Sequence, residues 1–112
     1  METTRQLKVA RQIQKDISEI LLREGAALFP GVMVSVTIVR VSPDLGFAKV
    51  FLSVFPFEKR NEVMETVAAN AKAIRHTLGG KLKHQLRTIP ELAFHIDDSL
   101  EYISNIDSLL DK

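Results

Sequence analysis

The residues of this chain that could perform chemistry are concentrated in a cationic segment between positions 72 and 87. The segment contains five Lys or Arg residues and two histidines, and no carboxylate occurs between residues 66 and 90. Beneath these charges, apolar residues recur every three or four positions, the spacing of one buried helix face. A packed helix that presents cations is typical of a surface that binds phosphate, although a solvated charged face has the same pattern. The cations are Lys72, Arg75, Lys81, Lys83 and Arg87.

A second cationic strip is predicted near the N-terminus. Lys8, Arg11 and Lys15 are spaced at i, i+3 and i+7, so they share one face of a helix. This strip either extends the phosphate-binding surface as a secondary contact or is simply exposed to solvent.

Other kinds of chemistry find little support in the sequence. Gly79, Gly80 and Lys81 lack the frame of a phosphate-binding loop and follow a helix rather than a strand. The three histidines are too far apart for a standard metal-binding spacing, and the chain has no cysteine. No serine lies in a nucleophile-elbow frame. We therefore predict no catalytic residue, no metal and no cofactor, and a protein that is not an enzyme.

The composition suits one domain covering residues 1–112, with 46% hydrophobic residues and a net charge of only +1. The charge is segregated, because residues 91–112 hold six Asp or Glu residues against Lys112 alone. No apolar run is long enough to span a membrane, and the polar N-terminus does not resemble a signal peptide. A monomeric protein in the cytoplasm, without a membrane or small-molecule partner, is the expectation.

The first half of the chain predicts a helix followed by a hairpin. Thr3 and Gln6 form a capping-box pattern that opens a helix to about Glu24, with Gly25 as its stop. Two β-branched, alternating segments follow at residues 32–41 and 47–55, joined by a Pro-Asp turn.

The second half predicts a helix from about residue 61 that meets Gly79 and Gly80. These two glycines favour a break or a bend, although the leucine spacing across them is also compatible with a continuous helix. Pro90 precedes a third strand. An acidic helix over residues 98–110 is expected to pack on the domain and to lie away from any bound nucleic acid.

The predicted core lies between one face of the sheet and the helices. Its strand members are Val34, Val36, Ile38, Val50, Leu52, Leu92 and Phe94, and its helix members are Ile13, Ile17, Val67, Ala71, Ile74 and Leu78. Phe47, Phe51 and Phe55 share the opposite face of the second strand with Lys49. Phe47 and Phe51 are either a platform on which bases stack or, the interpretation that we favour, covered by another layer.

Several segments together resemble the ribosome-binding factor A family over nearly the whole chain. They are SPDLGFAKVFLSVF at residues 42–55, Ile74 with Arg75, LRTIPELAF at residues 86–94 and DDSL at residues 97–100. The hairpin pattern Asp-Leu-x-x-Ala-Lys-Val and the later Pro-Glu-Leu-x-Phe pattern are the most specific parts. The family's small Ala-x-Gly motif before Ile-Arg is replaced here by Asn70, Ala71 and Lys72.

The resemblance implies an α+β, type II K-homology-like fold with the order α-β-β-α-kink-α-β and helices on one face of a three-stranded sheet. It also implies a non-enzymatic assembly factor that binds 16S ribosomal RNA in the precursor of the small ribosomal subunit and assists late rRNA processing. The two cationic groups are then the candidate RNA-binding residues. A protein-interaction module that uses the phenylalanine face or the acidic C-terminal helix is the alternative, and a small enzyme is a distant third.

Overall fold

The computed structural model describes residues 3–84, 86 and 88–97, and it contains two long helices and three strands. In chain order these are α1 (Thr4–Leu28), β1 (Met33–Val41), β2 (Phe47–Phe55), α2 (Arg60–Leu82) and β3 (Glu91–Ile96), with a short 3-10 turn at Phe57–Lys59. This arrangement confirms the expected α+β, K-homology-like class. The acidic helix predicted over residues 98–110 lies outside the described residues.

The sheet has the order β1-β2-β3, in which β1 and β2 are antiparallel and β2 and β3 are parallel. Alternate residues of β2 are buried against the helices, since Ala48, Val50, Leu52 and Val54 lie in the core. Phe47, Phe51 and Phe55 have the opposite parity and point to the other face, which the described helices leave open. Strand β3, which runs parallel to β2, begins beside Phe47 and ends beside Leu52.

Helix α1 begins as predicted and ends later than predicted. Thr3 and Gln6 form the complete capping box, with each side chain accepting a hydrogen bond from the other residue's backbone amide. Gly25 does not stop the helix, which continues to Leu28. A glycine inside a helix costs about 1 kcal/mol relative to alanine. Here that cost is offset because the extra turn brings Leu28 against the core and leads into the buried Phe29.

A β-bulge makes one core prediction wrong. Val36 pairs with Leu52 and Ile38 pairs with the adjacent Phe51, so Thr37 is an extra residue in β1. Ile38, which simple alternation places in the core, is 45% exposed. Val39 and Val41 are buried in its place.

The bulge is held in place by side-chain hydrogen bonds. The Thr37 hydroxyl lies 2.7 Å from Asp97 Oδ2 and 3.3 Å from the Phe51 carbonyl oxygen. The Gln14 amide of α1 donates to the Thr37 carbonyl at 3.2 Å. These contacts tie α1, β1 and the end of β3 to the extra residue.

Helix α2 is continuous through Gly79 and Gly80, so the continuous alternative is confirmed and the predicted break is absent. Leu78 and Leu82 are both fully buried on either side of the glycine pair. The Ile89 side chain lies against Gly79, where an added Cβ would stand 3.3 Å from Ile89 Cγ1. Burial of the two leucines and this close packing account for a helix that propensity alone disfavours.

Most of the other predicted core residues are confirmed. Ile13, Ile17, Val36, Val50, Leu52, Val67, Ile74 and Leu78 are buried. Val34, Leu92 and Phe94 are partly buried and pack against the core, and Ala71 is also only partly buried.

Candidate nucleic-acid interface

A cation-lined hollow of about 690 Å³ lies between α2 and the segment that precedes β3. Lys72 and His76 are exposed on α2, four residues apart, and Lys83, which caps the C-terminal end of the helix, is exposed seven residues after His76. The hollow is lined by Lys72, Arg75, His76, Gly79, Gly80, Lys83, Thr88 and Ile89. Among its residues there is no carboxylate, so its electrostatic character suits an anion.

The two glycines form the side-chain-free floor of this hollow. Gly80 is exposed, and an added Cβ there would meet nothing within 4 Å. The helix backbone is therefore accessible between two lysines, which would allow a ligand to approach closely.

We expect Gly80→Ala to raise the free energy of unfolding by about 0.5–1 kcal/mol, because alanine loses less backbone entropy in a helix. Urea denaturation measures this change. Gly79→Ala is the matched control, and it should gain less stability because its Cβ would press on Ile89. A Gly80→Ala variant less stable than the wild type would contradict this account of the floor.

Arg75 has a structural task in this hollow. Its guanidinium donates from Nε to the Pro90 carbonyl at 3.1 Å and from a terminal nitrogen to the Ile89 carbonyl at 2.7 Å. These charged hydrogen bonds attach α2 to the segment that starts β3. Contact of Arg75 with RNA stays a prediction, and two of its donor positions already serve the fold.

We therefore expect Arg75→Gln to lower the free energy of unfolding by roughly 1–3 kcal/mol, because two carbonyl groups lose charged donors. Chemical denaturation measures the loss. Lys72→Gln, an exposed change on the same helix, should stay within about 0.5 kcal/mol of the wild type. Equal stability of the two variants would show that the Arg75 hydrogen bonds are dispensable for the fold.

Lys81 does not face the same hollow. Its Nζ lies 3.3 Å from Glu19 Oε2 of α1, with the two side chains partly exposed. No carboxylate lies near Lys81 in the sequence, but the fold brings α1 alongside, so Glu19 compensates the charge of this lysine. An RNA phosphate would have to compete with Glu19 for this lysine.

The N-terminal strip lines a separate hollow of about 420 Å³. Lys8, Arg11 and Lys15 are all exposed there, and Leu86 closes it from the segment after α2. Arg5 also lines it and was missed by the sequence prediction, although it lies three residues before Lys8 on the same face. Arg87 follows Leu86 in the chain, but its own position lies outside the described residues. The two cationic groups thus lie in two separate hollows, and Lys81 lies between α1 and α2.

An apolar hollow of about 500 Å³ lies at the opposite end of α1, between the helix and the start of β1. Leu22, Met33 and Phe55 line it and are 71–86% exposed. No charged side chain lines it, so its chemistry suits an apolar protein surface rather than phosphate.

Two other classes of site receive no support from the described residues. Within residues 3–84, 86 and 88–97, no three His, Cys, Asp or Glu side chains are grouped so that they could hold a metal ion. In the same part of the chain, neither helix combines the length and the apolar character that crossing a bilayer requires.

A family model and individual known proteins similar to this chain all carry the same family name. The model of the family described as "Ribosome-binding factor A" matches residues 5–110. A protein of that name from Cytophaga hutchinsonii is 41% identical over 112 residues, which cover all of this chain and 84% of the relative. Another from Flavobacterium psychrophilum is 47% identical over 113 aligned positions, covering 98% of this chain and 85% of the relative.

Solved structures show the same fold. The crystal structure of ribosome-binding factor A from Thermus thermophilus aligns with a TM-score of 0.66 and 21% identity, covering 81% of this chain and 94% of that one. The solution structure of a Thermotoga maritima protein, described as a putative ribosome binding factor A, aligns with a TM-score of 0.68 and 24% identity. This alignment covers 85% of this chain and 89% of that one.

Proposed function

Because this chain belongs to the ribosome-binding factor A family, we propose that it is an assembly factor that binds 16S rRNA in the precursor of the small ribosomal subunit. It assists late rRNA processing without performing catalysis, and it acts as a monomer in the cytoplasm. The relatives' name supports ribosome association. Attachment through RNA is supported chiefly by the α2 hollow, in which Lys72, His76 and Lys83 surround an exposed, side-chain-free stretch of helix.

We assign the two cationic hollows different roles in RNA binding. The α2 hollow is the primary contact because its lysines and accessible glycine backbone suit a sugar-phosphate chain at close range. Lys8, Arg11 and Lys15 supply a second set of phosphate contacts. Such contacts orient the protein on folded RNA and carry little sequence information.

Co-sedimentation of the full chain with purified small and large subunits at several salt concentrations tests the proposal. We expect binding to the small subunit that falls as salt increases, because each neutralised phosphate releases counterions. Failure to bind small subunits at low salt, or equal binding to large subunits, would contradict the proposed function.

A second candidate is favoured by the apolar hollow around Leu22, Met33 and Phe55, which would suit a protein partner. Binding through that surface would be nearly insensitive to salt and would be lost on substitution of Leu22 by a charged residue. The same sedimentation series therefore distinguishes an RNA contact from a protein contact.

A further inference from the structure

The open face of the sheet carries aromatic side chains together with cations. Phe47 and Lys49 are exposed, and Phe51 is partly exposed on the same side of β2. Arg40 of β1 is the register partner of Lys49, and both lie on the face that the helices do not cover. Aromatic rings interleaved with cations are the combination that binds single-stranded nucleic acid, through base stacking and phosphate contact.

The third strand extends this arrangement. His95 pairs in register with Phe51, and the two rings are stacked with their centroids 5.4 Å apart and an angle of 29° between their planes. His95 is exposed, so the pair presents a preformed ring surface on the open face. Phe47, four residues earlier in β2, is about 13 Å away along the strand. Lys49 lies between these two aromatic positions.

The start of β3 connects the α2 hollow to the sheet in the chain. Thr88 and Ile89 line that hollow, and two residues later Glu91 enters the sheet beside Phe47. The Glu91 amide donates to the Gly46 carbonyl at 3.0 Å, which joins this corner to the hairpin turn. An RNA strand that leaves the hollow along the start of β3 would pass Glu91 and then reach Phe47, the first aromatic side chain of the open face.

Not every charge at this corner favours RNA. Glu91 is exposed beside Phe47, and Asp44 lies in the adjoining turn. Hydrogen bonds from the Ser42 hydroxyl and the Gly46 amide hold the pKa of Asp44 below its usual value, so this carboxylate stays ionised. Because Glu91 and Asp44 repel phosphate, they partly cancel the attraction of the nearby cations for RNA. Stacking of a base on Phe47 would therefore have to supply more of the binding energy at this corner.

We propose that the open sheet face, through Phe47, Phe51 and His95 with Lys49, is a second RNA surface that stacks unpaired bases. The inference rests on the proposed RNA-binding function and adds a substrate class, namely a single-stranded segment next to the phosphate contacts of α2. Unstacked bases, rather than duplex RNA, are the ligand because in a duplex the ring faces are stacked on neighbouring bases and are therefore inaccessible.

We choose RNA rather than the C-terminal segment as the occupant because Phe47 and Lys49 lie toward the end of the sheet away from Asp97. Strand β3 ends at Ile96, and the Asp97 amide donates to the Leu52 carbonyl at the end of the sheet away from Phe47. Phe55 and Met33 lie toward that far end and are exposed without an intervening cation. The cations accompany Phe47 and Phe51 instead.

Binding of the full chain to a short oligouridylate, compared with an RNA duplex of equal length, tests this proposal. We expect Phe47→Ala to weaken oligouridylate binding about fivefold or more, the lower end of what a stacked base contributes. Duplex binding should change little. Because stacking releases no counterions, the salt dependence should keep its slope in this variant.

Phe55→Ala is the matched control, since it removes the same side chain from the same face of β2, where Phe55 is 73% exposed. It should leave oligouridylate binding unchanged. Phe47→Leu should lose affinity as Phe47→Ala does, because leucine keeps apolar area but has no ring. Thermal melting confirms that each variant is folded, and ring-current shifts of the Phe47 and His95 protons on adding oligouridylate give a readout on the wild type.

Four results would overturn the proposal: no effect of Phe47→Ala, an equal effect of Phe55→Ala, full affinity in Phe47→Leu, or no shift of the ring protons. If residues 98–112 occupy this face instead, deleting them will raise oligouridylate affinity and Phe47→Ala will not lower it, which also overturns the proposal. In each case salt-dependent binding to small subunits would persist if the proposed function is right. Loss of that binding in the wild type identifies failure of the proposed function itself.

Discussion

Replacing Ile17 with alanine is expected to lower the free energy of unfolding by roughly 2–5 kcal/mol, the usual cost of removing a large aliphatic side chain from a packed core. Ile17 is 0% exposed and belongs to the cluster in which α1 meets the sheet. Ile74 of α2 is also buried, and Ile74→Ala should have a cost in the same range. Urea or thermal unfolding of the purified variants measures both.

Ile38 supplies the control for this prediction. Ile38→Ala removes the same atoms from a residue that is 45% exposed, so we expect a loss below about 1 kcal/mol. Strand alternation without the bulge would place Ile38 in the core and predict a large loss. A cost for Ile38→Ala equal to that for Ile17→Ala would therefore contradict the bulge, and a cost below about 0.5 kcal/mol for Ile17→Ala would contradict the packing of α1.

The bulge also shows which part of the fold the sequence could predict. A period of two identifies a strand, and it does so for both β1 and β2. It cannot reveal an inserted residue, because Val36, Ile38, Val39 and Val41 are all apolar and fit either phase. The deciding contacts of Thr37 reach Asp97, 60 positions away, and Gln14 of helix α1. No local pattern contains that information.

The helix ends illustrate the same difference between local and tertiary causes. The capping box of α1 is a local signal, and it was predictable because both partners lie within one turn. Gly25 and the pair Gly79 and Gly80 are local signals for a stop, but burial of neighbouring side chains outweighs them. Propensity differences of about 1 kcal/mol per glycine are smaller than the burial of one leucine.

For the cationic surface, the sequence could predict which residues are charged but not which charges are already used. Lys72 and Lys83 share the α2 hollow, as their helical spacing implies. Lys81 meets Glu19, a contact across 62 positions, and Arg75 binds two carbonyl groups of the chain before β3. A stretch without carboxylates is therefore not the same as a surface of unpaired cations.

Neutralising Lys72 and Lys83 together is expected to have the largest effect on RNA binding. With roughly four phosphates neutralised by the whole surface, the logarithm of affinity should fall with the logarithm of salt at a slope near −3, using ~0.7–0.9 per contact. The double variant Lys72→Gln, Lys83→Gln should flatten this slope by about 1.5 for two lost contacts. Its affinity at low salt should drop on the order of tenfold or more, at ~1 kcal/mol per charge contact in water. Filter binding to small-subunit RNA across a salt series measures both quantities.

Lys59 provides a matched control for this variant, because it lies 3.6 Å from Glu62 at the start of the same helix and lines neither cationic hollow. Lys59→Gln should therefore leave both slope and affinity nearly unchanged. Equal loss in this variant would mean that the positive charge acts without a defined site. Arg87→Gln, tested separately, will show whether the last cation of the segment belongs to the same surface.

In the Lys81–Glu19 pair, Glu19 would compete with an RNA phosphate for Lys81. An exposed ion pair contributes at most about 1 kcal/mol to folding, so breaking it leaves the domain folded. If Lys81 contacts phosphate only after releasing Glu19, Glu19→Gln should raise RNA affinity severalfold and steepen the salt slope, since one more lysine becomes available without competition. If Lys81 serves the fold alone, Glu19→Gln should change affinity little and Lys81→Gln should leave the slope as it is. An increase of affinity in Glu19→Gln therefore assigns Lys81 to the RNA contact with Lys72 and Lys83, and an unchanged affinity assigns it to the structural contacts of α2 with Arg75.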